Sequence, residues 1–337
     1  MTASGLTGPG DLRSLCKVIG VSQDDFRQAK RESKYNYRQY THIDRKNKKR
    51  RNLCYPPDDS VLYRVQAAVK SQLLARIPLC AEIRGYLPGQ HNILVASEVC
   101  GALYQGTLDI SKFHPSIADG HVAEALRKHG LPWAWANRIA RLVTFRTRHD
   151  NPAGKRVVPQ GAPTSSHIAN IVLDSILRRG VLHFATRMGI RVCNYGDDIA
   201  FFGPSPTAVT RCVRHARAEI EQAGFHANAE KTVLCEHRGG KRRFIGCATG
   251  RMRPDYPREK YRFLRKELRG LLANLKGGRL AALSDEQINS LRQRVAYVGR
   301  LNRQKARRLL NLFYRICSQV RRICALTRGA TPRISAA

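Results

Sequence analysis

Apolar residues recur at helical spacing along most of the chain, and short β-forming runs interrupt them at a few places. Leu12, Leu15, Val18 and Ile19 keep a helical period that Gly20 breaks, within a stretch from about 10 to 40 that reads as helical. Tyr40–Ile43 and Leu53–Tyr55 are strand-like runs on either side of the basic block Arg45–Arg51, which predicts a hairpin ended by Pro56-Pro57. Val61, Leu62, Val65, Val69, Leu73 and Leu74 share one face of a helix running from Ser60 to about Ile77. Residues 101–110 alternate as a buried strand ending in Leu108-Asp109-Ile110. Asp119–Lys128 reads as a helix closed by Gly130 and Pro132, and the helical pattern resumes from Trp133 to Arg146. A rigid loop, Val158–Ser165, leads into a helix with Ile168, Ile171, Val172, Ile176 and Leu177 on its apolar side. Val192–Phe202 reads as two strands joined at the Gly196-Asp197 step. An amphipathic helix over Pro206–Glu221 follows, then a strand after Lys231-Thr232. Helical segments fill the chain from about residue 255, one of them begun by the capping-box spacing of Ser284 and Gln287.

Charge narrows this α+β pattern to a class of partner. The 337 residues carry 60 Lys and Arg against 25 acids, a net charge of +35, far more than solubility requires. Such a chain is expected to meet a polyanion, and nucleic acid is the commonest because neutralising phosphates releases condensed counterions. No apolar run reaches the roughly 18 residues needed to span a bilayer, and the first residues lack the layout of a leader, so no membrane partner is expected. The ten cysteines are scattered without a Cys-x-x-Cys pair, which predicts reduced thiols and a cytoplasmic protein. Cys235, His237 and Cys247 are read as packing residues.

The candidate chemistry lies in three acids. Asp197 and Asp198 are adjacent at the tip of the predicted hairpin, where neighbouring carboxylates repel unless a cation or water separates them. Asp109 ends an apolar strand, and burying an unpaired carboxylate there costs several kcal/mol. A divalent metal answers both costs. Mg²⁺ takes oxygen ligands and is commonly held by one or two carboxylates plus substrate phosphates. The Pro-Gln-Gly loop allows close backbone approach to a ligand, and Lys231 is a lone cation that can face phosphate.

Together these features resemble a bacterial reverse transcriptase of the retron and group II intron type. Leu108–Ile117 is similar to the family's first catalytic motif, Pro159–Ser165 to its nucleotide-binding loop, and Tyr195-Gly196-Asp197-Asp198 to the Tyr-x-Asp-Asp hairpin. Gly224–Asn228 with Lys231-Thr232 resembles the next motif, and Phe244-Ile245-Gly246 the primer-grip region. The resemblance implies a right-hand polymerase of α+β class, with fingers, a palm of antiparallel sheet plus helices, and a helical thumb. Its expected divisions are an N-terminal helical extension over 1–39, fingers and palm over 40–254, and a basic helical thumb over 255–337.

The implied enzyme is a nucleotidyltransferase, an RNA-directed DNA polymerase. It implies two Mg²⁺ ions, with Mn²⁺ as a substitute, at Asp109, Ile110, Asp197 and Asp198. Lys231 would assist protonation of pyrophosphate. Lys46 and Arg51 would contact the triphosphate, Gln160 the incoming sugar, and His114 stands where the family commonly carries a Phe or Tyr that clashes with a ribose 2′-hydroxyl. The implied partners are an RNA template, expected to be a structured non-coding RNA, a DNA product and dNTPs, and the implied setting is defence against bacteriophage. Two family patterns are absent: Val95-Ala96-Ser97-Glu98-Val99 replaces the retron Asn-Ala-x-x-His, and Phe244-Ile245-Gly246 replaces Val-Thr-Gly. No nuclease, maturase or integrase-like segment follows, so a standalone enzyme without autonomous mobility is expected. Two other readings stay open, an RNA-directed RNA polymerase with Asn170 at a ribose, and a nucleic-acid-binding scaffold without catalysis.

Overall fold

A computed structural model describes residues 10–43, 50–146, 155–280 and 283–328, with the side chains of 42–43, 50–52 and 326–328 outside the description. The chain begins with helices α1 (Leu12–Ile19) and α2 (Gln23–Glu32), then strands β1 (Arg38–Ile43) and β2 (Arg50–Tyr55). Helices α3 (Val61–Gln72) and α4 (Asn92–Val99) precede strand β3 (Tyr104–Asp109). Next come helices α5 (Phe113–Ser116), α6 (Asp119–Lys128) and α7 (Trp133–Val143), short strands β4 (Phe145–Arg146) and β5 (Arg156–Val157), and helix α8 (Ser165–Ile176). A π-helical turn at Leu177–Val181 joins α8 to α9 (Leu182–Arg187), followed by strands β6 (Arg191–Tyr195) and β7 (Asp198–Gly203) and helix α10 (Pro206–Gln222). Strands β8 (Val233–His237), β9 (Arg243–Phe244) and β10 (Cys247–Ala248) lead to helices α11 (Arg258–Lys276), α12 (Asp285–Leu301) and α13 (Arg303–Arg328).

Two compact units result, one made by the chain up to His91 and from Ala102 to His237, the other by Asn92–Gly101 and the chain from Arg238 onward. The first is built on a four-stranded antiparallel sheet of order β6-β7-β3-β8. Helix α10 packs on this sheet through Val209 and Val213, and Gly106 of β3 permits the approach, since a Cβ there would lie 2.6 Å from Val213. Buried Leu108, Ile199 and Phe201 join Trp135, Ile139, Ile168 and Leu173 from the helices in one core. The same core takes Leu15, Ile19, Phe26 and Ala29, so α1 and α2 are part of this unit's interior.

The hairpin expected around the basic block is present as β1 paired with β2, while its turn, with Lys46, lies outside the described residues. The helix expected through Arg146 stops instead at Val143. Thr144 turns to extended backbone, and Arg156 donates to the carbonyl oxygens of Arg141 (2.6 Å) and Thr144, satisfying carbonyls that the helix end leaves open. Residues 145–146 then pair with β5.

In the second unit α11, α12 and α13 bury Leu264, Leu268, Leu272, Val295, Val298, Leu309, Phe313 and Ile316 against one another. Ser284 and Gln287 form the capping box that starts α12, with bonds of 3.2 and 2.9 Å. Helix α4 joins this unit through Asn92, whose amide donates to Tyr297 Oη (2.6 Å) and to the Ile245 carbonyl (3.2 Å). The unit begins before the division expected at 254/255. Ala248 bridges Asp255, and the Asp255 carboxylate in turn accepts from Lys305 (2.7 Å) and Asn302 (3.0 Å), so the segment from β9 onward is tied to the helices. Among the described residues, no helix is long and apolar enough to cross a membrane.

Candidate active site

The centre of the sheet carries the predicted acids. Asp109 is the last residue of β3 and Asp198 the first of β7, and the antiparallel register sets them directly opposite each other. Directly opposed residues share a face of the sheet, where like charges destabilise the pair. The turn between β6 and β7 consists of Gly196 and Asp197, with Gly196 at φ 66, a conformation that costs glycine least. Ile110, fully buried, donates its N–H to the Asp197 carbonyl at 3.1 Å and so fixes the turn against the end of β3. The Asp109 carbonyl accepts from the Asn228 N–H at 2.7 Å, and Ile110 bridges Ala227.

Asp109 is only 4% exposed. Its Oδ1 accepts from Lys231 Nζ at 2.5 Å, which gives the buried carboxylate the partner it requires. Burial pulls the Lys231 ammonium down, but the hydrogen bond and charge of Asp109, with the charges of Asp197 and Asp198, outweigh it and hold the pKa above the ordinary lysine value. Lys231 comes from the turn after Asn228, whose carbonyl accepts from the Lys231 and Thr232 N–H groups.

His114 lies on α5, one residue after Phe113. Phe113 is buried in an aromatic cluster with Phe225 (centroids 5.4 Å apart), and Phe225 in turn meets His121 (4.7 Å). This anchor holds His114 near the Gly196-Asp197 turn. Burial pushes its imidazole pKa down, opposed by the nearby charge of Asp197. Gln160 is half-buried in the loop before α8, and its carbonyl accepts from Cys54 N–H of β2 at 2.8 Å, so the loop is placed by the β1-β2 hairpin. Arg51 occupies β2 opposite His42 in the register, its side chain outside the description.

The donor set suits a hard divalent cation: opposed carboxylates at Asp109 and Asp198, with Asp197 next in the chain, match the one or two carboxylates that hold Mg²⁺ beside substrate phosphates. Among the described residues no three His, Cys, Asp or Glu side chains are gathered as a ready-made ligand set. A metal here would be held by Asp109 and Asp198 with Asp197 adjacent, and would need further oxygens from outside the protein. Cys235, His237 and Cys247 likewise form no such set.

A further group of residues surrounds the turn without any signal in the sequence motifs. Residues 82–86 run beside β6 as a strap: Asn194 N–H donates to the Glu82 carbonyl (2.8 Å), and Arg84 N–H to the Asn194 carbonyl (3.1 Å). Asn194, fully buried, also donates its side-chain amide to the carbonyls of Gly196 (2.8 Å) and Asp198 (3.1 Å), bracing the turn from within. Helix α8 holds the strap from below. Asn170 Nδ2 donates to the Gly85 carbonyl at 2.7 Å, and one turn on, Asp174 accepts from Cys80 N–H at 2.6 Å. Asn170 is 1% exposed and its Nδ2 is bonded to the strap, so the structure does not place it at a ribose. The two residues stand four apart on α8, a spacing that puts them on one face, and this periodicity of polar residues in an otherwise apolar helix is the trace the sequence holds of the strap.

Comparison with known proteins places the chain in a family. The family model described as reverse transcriptase (RNA-dependent DNA polymerase) matches residues 43–265, more than half of the chain. The retron Mx65 reverse transcriptase of Myxococcus xanthus is 30% identical over 258 residues, covering 73% of this chain and 57% of that relative, so the chain spans little more than half of that protein's length. The retron Ec86 reverse transcriptase of Escherichia coli is 21% identical over 313 residues, covering 91% of this chain and 94% of that relative. Among solved structures, telomerase from Candida albicans in complex with a telomeric RNA fragment is 10% identical, with a TM-score of 0.46, covering 86% of this chain and 61% of that one. With the family comes the α+β right-hand polymerase fold expected from the motifs. The chain belongs to the reverse transcriptase family and, within it, is similar to the bacterial retron enzymes.

Proposed function

We propose that the chain is an RNA-directed DNA polymerase that extends a primer on an RNA template with dNTPs. The observation that carries this reading is the register that sets Asp109 opposite Asp198 beside the Asp197 turn, with Lys231 in contact with Asp109. The family's divalent ion, Mg²⁺ as two ions with Mn²⁺ as a substitute, would acidify the primer 3′-hydroxyl and neutralise the leaving pyrophosphate. The protein's own part is positioning and charge. Asp109, Asp197 and Asp198 supply the anionic oxygens, with Ile110 fixing the turn through its N–H. Lys231, a cation bonded to Asp109, is placed to hold a proton for the pyrophosphate. His114 faces the sugar as an imidazole kept neutral by its burial. Gln160 belongs to the same sugar-binding surface, and Lys46 and Arg51 of the hairpin contact the triphosphate. Little covalent help is needed, because alignment and neutralisation provide most of the rate.

The thumb helices, strongly cationic on their exposed sides, form the grip on an A-form duplex, whose shape and phosphates are recognised without base reading. A structured non-coding RNA is the partner proposed as template, the cytoplasm is the proposed location on the strength of ten free cysteines, and defence against bacteriophage is the setting proposed from the motif resemblance. The RNA-polymerase reading loses support because Asn170 is committed to Gly85.

The test is incorporation of dNTPs and, separately, rNTPs with Mg²⁺ on a primed RNA template. Asp197→Ala with Asp198→Ala should lower dNTP incorporation at least about a thousandfold while RNA affinity and the unfolding midpoint stay close to the parent's. Full activity in that double variant sinks the site, and incorporation of rNTPs alone would favour the RNA polymerase.

A further inference from the structure

The second position of the Tyr195-Gly196-Asp197-Asp198 motif is Gly196, and its side-chain space is already taken. A Cβ built on Gly196 would stand 2.9 Å from Tyr86 Oη and 3.3 Å from Cε2 and Cζ of the same ring. Tyr86 belongs to the strap, 110 residues before Gly196 in the chain, and is brought to the turn by the backbone bonds between the strap and β6. Its ring lies 6.0 Å from that of Tyr195 and 6.4 Å from that of His114, which it meets edge-on at 73°. It is 41% exposed, so the ring both packs on the turn and presents a surface.

The strap is shaped to deliver this ring. Tyr86 holds φ 60, a region where glycine or asparagine is the easier residue, and a bulky aromatic there marks a constrained position. Gly85 lets the strap come close, since a Cβ on it would fall well inside contact distance of the Gly196 nitrogen. Asn170 and Asn194 anchor the segment on both sides through the bonds to Gly85 and Arg84 already described. Small residue on the turn and large residue on the strap are thus complementary.

We propose that Tyr86 is a specificity-determining residue of the polymerase: its ring supplies, from the strap, the side-chain surface that Gly196 lacks, and with His114 it forms a two-ring wall for the sugar of the incoming nucleotide. This inference rests on the polymerase reading and on the sugar-facing role of His114. His114 by itself is a smaller and more polar wall than a Phe or Tyr, and an edge-on ring behind it restricts its rotation. Discrimination against a 2′-hydroxyl then depends on both rings.

The experiment compares the parent with Tyr86→Phe, Tyr86→Leu and Tyr86→Ala. The ratio of kcat/KM for dNTP over rNTP is measured on primed RNA. Independently of turnover, retention of dNTP against rNTP is measured in a complex with a dideoxy-terminated primer, and unfolding midpoints are recorded alongside. Tyr86→Phe, which keeps the ring, should preserve both ratios within about twofold, whereas Leu and Ala should lower them about tenfold, the scale of a lost steric contact. Unchanged ratios in Leu and Ala overturn the inference, as does a loss in Phe equal to that in Ala. A parent that neither retains nor incorporates nucleotide sinks the polymerase reading and the inference with it, whereas a discriminating parent with unchanged variants sinks the inference alone.

Discussion

Asp109 and Lys231 show how a residue's meaning depends on its partner. A carboxylate at the end of an apolar strand is costly to bury, and an exposed lysine after a turn is commonplace, yet together they form a contact of 2.5 Å at the heart of the sheet. His121 makes a comparable point for stability. Its Nδ1 accepts from the Ala118 N–H at 3.1 Å, capping α6, and its ring lies on Phe225. Burial pushes its pKa below the ordinary value of 6.5, more than the opposing contacts raise it. The folded state therefore binds a proton less readily than the unfolded chain, so its contribution is complete above about pH 6.5 and is lost as the pH falls below that. The unfolding midpoint in urea should fall between pH 7 and pH 5, and His121→Asn, which keeps an acceptor without a titrating ring, should reduce that pH-dependent loss. An identical pH profile in the variant would remove His121 as its source.

At the scale of elements, α8 is the support of the site. It follows the Pro-Gln-Gly loop, buries Ile168, Ile171, Val172 and Leu173, and uses Asn170 and Asp174 to hold the strap that carries Tyr86. Asp174 is fully buried, and burial alone would raise its pKa; bonds from His129, Cys80 and Arg178 outweigh this and hold it below the usual carboxylate range. The Arg178 contact is 2.6 Å and the His129 contact 3.2 Å. Asp174→Ala should destabilise the fold by about 2–4 kcal/mol, because it leaves the part-buried Cys80 N–H and the Arg178 guanidinium without their acceptor. Denaturant titration measures this, and a change below about 0.5 kcal/mol would show that the strap is held by other contacts.

For the whole molecule, charge is unevenly used. From residue 255 onward there are 20 Lys and Arg against five acids. Three of those acids are committed within the second unit, Glu259 to Arg243, Glu267 to Arg294 and Asp255 to Lys305. Exposed Arg262, Lys266, Arg269, Arg307, Arg308 and Arg315 are left as the cationic surface. Affinity for RNA duplex should therefore fall steeply with salt, log K declining with log salt by roughly 0.7–0.9 per phosphate neutralised. Replacing Arg307 and Arg308 by Gln should lower that slope by about 1–2 units, measured by filter binding across a salt series; an unchanged slope would exclude this surface from the contact.

Local pattern carried much of this protein into view. The period of Val61–Leu74, the capping box at Ser284 and the alternation around Gly196 specify elements through bonds and spacings within a few residues, and the structure contains those elements. The order of motifs along the chain singled out the three acids as candidates, because each motif leaves a compact local signature. Only the tertiary structure decided that Lys231 meets Asp109, that α7 gives way to extended backbone where Arg156 collects its carbonyls, and that Tyr86 fills the space beside Gly196. These contacts join residues from 12 to 122 positions apart. They depend on backbone register and packing, which no single stretch of sequence encodes by itself.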